Sequence, residues 1–145
     1  MSRRWWWVAA AAAVIVAVVA GSWIFLGRKD SGDSCAVVRD MIAINRDHSA
    51  QIDSQTNAGV EPSQASYEQW ANRLGDLSGQ IDDPKLSPHA HRMADLAHQS
   101  VALNPAVLAE LSAPQPGVGP AATKYAELNQ QFVAEQRTLA QACPA

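Results

Sequence analysis

The stretch QSVALNPAVLAEL, residues 99–111, decides how the chain folds. Its apolar residues recur at helical spacing, but Asn104-Pro105 stands in the middle. Proline lacks the N–H of the helical ladder, and its ring crowds the preceding turn. Either the chain reverses here, or one helix carries the proline as a kink.

Two cysteines decide between these. Cys35 opens the first helical segment and Cys143 closes the last. Neither belongs to a CxxC pair, and neither has a histidine at metal-finger spacing. The competing reading is two unrelated free thiols. A disulfide needs Cα atoms within about 4.4–6.8 Å. An even number of antiparallel helices brings the first and last ends to one pole, whereas an odd number leaves them about 30 Å apart, the length of a 20-residue helix. Pairing therefore requires four helices and makes Asn104-Pro105 a kink.

Working outward, the first helix is expected from Asp33 or Ser34 to about Gln55, with Val37, Met41, Ile44, His48 and Ile52 on its apolar face. The second runs from Ser63 or Ser66 to Ile81. Tyr67, Trp70, Leu74, Leu77 and Ile81 form its seam, and Ser66 and Gln69 are placed to form a capping box. Asp83-Pro84 stops it in a turn. The third starts at Ser87-Pro88, turns Met93, Leu96, Ser100 and Leu103 inward, and reaches Leu111. The loop Ser112 to Pro120 is a Pro/Gly-rich connector. The fourth runs from Pro120 to about Ala142, with Tyr125, Leu128, Phe132, Gln136, Leu139 and Cys143 on one face. Matched lengths and short loops favour an up-down-up-down bundle.

Upstream, Trp5 to Leu26 is an uncharged run of 22 residues, about 33 Å as a helix and enough to cross a bilayer core of about 30 Å. It is longer than a secretory h-region of about 7–15 residues. Trp5, Trp6, Trp7 and Trp23 resemble interfacial belts. The expectation is an uncleaved signal anchor over 5–26, with residues 1–4 cytoplasmic, 27–33 a juxtamembrane linker and 34–145 an extracytoplasmic domain. Arg3 and Arg4 on one side and Arg28 and Lys29 on the other barely discriminate orientation; the cysteine pair places the domain outside. Ala9, Ala13, Ala17 and Gly21 form a small-residue stripe along the anchor, a pattern suited to close packing against another helix.

Charge excludes one class of partner. All 14 carboxylates but only seven of the 11 Lys and Arg lie from Asp30 onward, a formal charge of −7. An acidic domain repels phosphate, so nucleic acid is not an expected partner. The bilayer, through the anchor, and a membrane-protein partner or second copy are expected ones.

Catalytic signals are missing. There is no GxSxG elbow and no glycine-rich phosphate loop. Asp82-Asp83 beside Pro84 suits a turn or cap role. His91, Asp95 and His98 share one face of the third helix at i, i+4 and i+7, a spacing able to bind a divalent ion. That face lies opposite Met93, Leu96 and Leu103, so a solvated polar face is favoured and no metal or cofactor is expected. His48 reads as a structural histidine on an apolar face, and His89 as a surface residue. Gly75 and Gly79 can admit a close neighbour to the second helix. Trp70 and Tyr67, with Tyr125, Phe132 and Met41, can line a cavity between helices.

The Trp/Ala/Val anchor, the SCAVVRDMIAINRD opening at residues 34–47 and the ACPA ending at 142–145 resemble small single-pass envelope membrane proteins of actinobacteria, especially mycobacteria. The resemblance implies an envelope location and assigns no site residue. The expected protein is all-α: an N-terminal transmembrane helix, then an extracytoplasmic antiparallel four-helix bundle closed by one disulfide. The expected function is a non-enzymatic accessory or structural subunit that associates with another envelope membrane protein. The alternative is an extracytoplasmic binding protein for a lipid, haem or metal.

Overall fold

Pro105 does not reverse the chain. In the computed structural model, which describes residues 31–114 and 118–145, one helix runs from Ser87 to Leu111 through it. The four helices are α1 (Ser31–Asn57), α2 (Gln64–Ser78), α3 (Ser87–Leu111) and α4 (Pro120–Ala142). The anchor over 5–26 and its stripe Ala9, Ala13, Ala17 and Gly21 lie outside the described residues. Among the described residues no helix is long and apolar enough to cross a membrane.

The proline leaves the Val101 carbonyl without its helical donor, because the donor four residues on would be the N–H that Pro105 lacks. Gln64, the first residue of α2, supplies the replacement. Its Nε2 donates to the Val101 carbonyl at 3.3 Å, and its Oε1 accepts from Asn104 Nδ2 at a long 3.5 Å. One side chain thus ties the Pro105 turn of α3 to the start of α2.

The remaining bonds give the direction of every neighbouring pair. Cys35 and Cys143 are disulfide-bonded with Cα atoms 5.2 Å apart, so the start of α1 meets the end of α4. Ser34 Oγ accepts from the Asp83 N–H at 3.3 Å, joining the start of α1 to the turn after α2. His89 meets Glu135 at 2.6 Å and Arg92 donates to Gln131 at 2.8 Å, joining the first half of α3 to the second half of α4. Sequential helices run antiparallel, and both cysteines share one pole.

Helix ends follow local chemistry. Ser63, not Ser66, caps α2: its Oγ accepts from the Ser66 N–H at 3.2 Å, so the helix begins before the expected box. α2 ends at Ser78, short of Ile81, because Ser78 Oγ and the Gly79 N–H both take the Gly75 carbonyl. Ile81 is still buried, beyond the helix. Asp83 Oδ1 accepts from the Lys85 and Leu86 N–H groups, the turn role expected of it. α1 extends past both expected ends. Gly59, at φ +70°, closes it, and the Val60 N–H turns back to the Gln55 carbonyl at 2.9 Å.

The core keeps Met41, Leu74 and Ile81 of the expected faces and differs from them at neighbouring positions. Val38, not Val37, is fully buried beside Met41. In α2 the fully buried positions are Ala71 and Leu74, with Ser78 nearly so, while Tyr67, Trp70 and Leu77 pack at the edge. α3 contributes Ala90, Ala94 and Ala97 to the same core, and Gly75 of α2 lies against it, where a Cβ would stand 3.5 Å from His98 Nε2.

Gln64→Ala should lower stability by about 1–2 kcal/mol, the cost of stranding a buried acceptor. Combined with Pro105→Ala, which restores the N–H, the Gln64→Ala loss should shrink by about half or more. Denaturation of the four chains in a double-mutant cycle checks this; equal losses in both backgrounds would show that Gln64 does not serve the Val101 carbonyl.

Candidate functional site

α1 and α4 are joined by the disulfide at one pole and again by Asn45 Nδ2 donating to Gln136 Oε1 at 3.0 Å. Beyond that bond, toward the far pole, their seam holds a cleft of about 320 Å³. His48, Ile52 and Asp53 stand on the α1 side, and Tyr125, Phe132 and Val133 on the α4 side. Tyr67 and Trp70 of α2 and Ser100, Val101 and Asn104 of α3 form the floor. The expected aromatic lining is thus present, except that Met41 is fully buried in the core.

An aromatic ladder organises the cleft. His48 stacks on Trp70 with centroids 4.9 Å apart and planes at 8°, and meets Tyr67 edge-on at 5.5 Å. Trp70 tilts against Phe132 at 5.7 Å. Three helices therefore share one run of rings, with geometry that aromatic pairs favour. His48 Nε2 and Trp70 Nε1 are buried with no hydrogen-bond partner in the protein. Burial holds the His48 imidazole below its ordinary value of 6.5. Burial also raises the Tyr67 phenol, with smaller contributions from Tyr125 and Glu61.

Among the described residues Asp53 is the one charged group lining the cleft, and no Lys or Arg lines it. This composition suits neutral or cationic groups and disfavours phosphates and carboxylates. Its polar members were weakly signalled in the sequence: Gln136 falls on the inner face of α4, and Asn45 one helical turn beyond Met41.

The other expected sites fare differently. His91, Asp95 and His98 are all exposed on α3. His91 Nδ1 bonds its own helix at the Ser87 carbonyl, 2.8 Å away, while a Cβ at Gly75 would lie 3.5 Å from His98 Nε2. Those two rings are thus engaged with different helices. Among the described residues no group of three or more His, Cys, Asp or Glu side chains is placed to hold a metal ion. His89 is not a mere surface residue, since it ties α3 to Glu135.

No protein-family model matches the chain, and comparison with curated proteins and with solved structures finds no match.

The sign of the His48 effect gives a test. The folded state holds this ring below 6.5, so between the two values it binds fewer protons than the unfolded chain. Stability should fall as pH drops below about 6.5, with no such contribution above it. His48→Gln should flatten the difference between denaturation midpoints at pH 7.5 and 5.5; an unchanged difference would show that the ring titrates freely.

Proposed function

We propose that the chain is a membrane-tethered, non-enzymatic helical module on the extracytoplasmic side, acting as an accessory or structural subunit of another envelope membrane protein. The observation that carries this reading is the Cys35–Cys143 bond. Joining the two ends of a domain by a disulfide is the habit of oxidising compartments. The uncharged run Trp5 to Leu26 has the length of a bilayer span and directly precedes the short, partly charged connection to α1. The residues that line the cleft make a packed aromatic ladder rather than a nucleophile with its base.

The cleft also favours a second reading, an extracytoplasmic binding protein for a small molecule. Of lipid, haem and metal, a neutral lipid suits the lining best. Haem propionates would find no Lys or Arg there, and the ring of His48 is occupied in its stack.

Crosslinking in native membranes, followed by gentle-detergent purification of the full chain, tests the first reading. A defined membrane protein or a second copy should be crosslinked, and Ala13→Leu with Ala17→Leu should reduce the yield severalfold, because filling a small-residue stripe blocks close helix packing. Recovery in the soluble fraction, recovery without any crosslinked protein, or free thiols at both cysteines would each overturn it.

A further inference from the structure

We infer that the cleft between α1 and α4, together with the apolar end of α3 beyond it, is a docking groove for a cationic amphipathic helix of another protein. This deepens the proposed association with an envelope protein and rests on it.

Three observations lead there. First, the core stripe of α3 outruns its cover. Ala97 and Val101 are buried and Asn104 is half-buried, and Leu108 and Leu111 continue the same face at helical spacing. Yet α2 begins at Gln64, level with Val101 and Asn104. Leu108 and Leu111 are consequently 42% and 56% exposed. The other large hydrophobic side chains left exposed among the described residues are Val60, Val118, Tyr125 and Val133. All six lie beyond the Asn45–Gln136 bond, toward the pole opposite the disulfide. Exposed apolar side chains gathered at one end mark an interaction surface, whereas scattered ones do not.

Second, the cleft is elongated along the helices. Its lining runs from Asn45 to Asp53 on α1, about 12 Å, and from Gln136 back to Tyr125 on α4, about 17 Å. A helix of about 8–11 residues spans that lining, and one of about 14 residues runs past it by about one turn, with apolar anchors at i, i+3, i+4 and i+7.

Third, the charge has one sign. Asp53 lines the cleft, and Glu61 stands near the Tyr67 phenol. Neither makes a salt bridge among the described residues. Arg46 and Lys124, on α1 and α4 but outside the cleft lining, are paired with Asp47 at 3.5 Å and Glu127 at 3.2 Å. The groove therefore offers apolar contact flanked by unneutralised carboxylate, which complements Leu and aromatic anchors beside Lys or Arg. Such complementarity fixes orientation and rejects acidic competitors.

The test uses the full chain in nanodiscs of zwitterionic lipid and a fluorescently labelled 14-residue Leu/Lys amphipathic peptide, read by anisotropy against empty nanodiscs. Saturable binding is expected, at least about tenfold tighter than for the same pattern in Leu and Glu, a difference of about 1.4 kcal/mol. Asp53→Lys and Val133→Glu, both at exposed positions, should each weaken it about tenfold or more. Asp95→Lys, exposed on α3 and absent from the cleft lining, should leave it unchanged. Tyr125→Ser replaces either groove variant whose circular dichroism shows unfolding. Equal affinity for the Leu/Glu peptide, equal loss from Asp95→Lys, or octyl glucoside entering the cleft while the Leu/Lys peptide does not would each overturn the inference. The membrane crosslinking test fails separately: a crosslinked partner retained by Asp53→Lys and Val133→Glu removes this groove but leaves the association standing.

Discussion

The Cys35–Cys143 bond is the constraint from which the rest follows. It fixes the parity of the helices, because only an even number returns the chain to the pole where it began. It also joins the least extensively packed neighbouring pair, since α1 meets α4 less than α3 meets either of its neighbours. A covalent link does most where packing does least. Closing a loop with a sequence separation of 108 restricts the unfolded chain by on the order of 4–5 kcal/mol in the chain-entropy account. The link holds only one end of the seam. Asn45 and Gln136 hold its middle, and beyond them the two helices are bridged by rings instead of hydrogen bonds. The cleft is the unzipped part of a seam fastened at its other end.

The α3–α4 hairpin is the most extensively packed pair among the described helices, and the manner of its closure contributes to that. The Glu110 carboxylate accepts from the Ala121 N–H at 2.8 Å and the Ala122 N–H at 2.9 Å. α4 has no side-chain cap of its own, so α3 supplies one, placing negative charge at a helix N-terminus where the dipole favours it. Gly119 makes this possible, since a Cβ there would collide with that carboxylate. At the other end of the hairpin His89 and Arg92 bond to Glu135 and Gln131. A pair fastened at both ends is a platform onto which α1 and α2 pack less extensively.

Those contrasts separate what could be read from the chain from what could not. The four helices, the passage of α3 through Pro105, the turn role of Asp83 and the meeting of the cysteines followed from punctuation and parity, which are local or countable. Register was less legible. Val37 and Val38 are equally apolar, and only the crossing geometry buries the second. Trp70 dominates any reading of α2, yet the fully buried positions there are Ala71 and Leu74, because a smaller side chain can be covered completely where an indole cannot. Glu110 and Gln64 were invisible as caps. Each serves a helix other than its own, and no spacing rule links Glu110 to Ala121 or Gln64 to Val101 across a fold not yet known.

The same logic explains why the cleft is both aromatic and polar. A bundle with four equal interfaces would seal its core with aliphatic residues. Here the seam between α1 and α4 must close over a gap that the disulfide pole does not reach. Flat rings span such a gap with area and few rotamers, and His48 fits between Tyr67 and Trp70 because a neutral imidazole is both flat and small. The cost is two ring nitrogens, on His48 and Trp70, buried without protein partners. Around them Asn104, Asn129 and Gln136 add amide groups to the lining of the cleft. An interior built only for stability would have replaced that pair of nitrogens with carbon, as a Phe at position 70 and a Leu at position 48 would do. The two nitrogens and the exposed end of the apolar stripe of α3 both lie beyond the Asn45–Gln136 bond, at the pole opposite the disulfide, so the costs that the packing leaves uncompensated are gathered where the seam is not fastened.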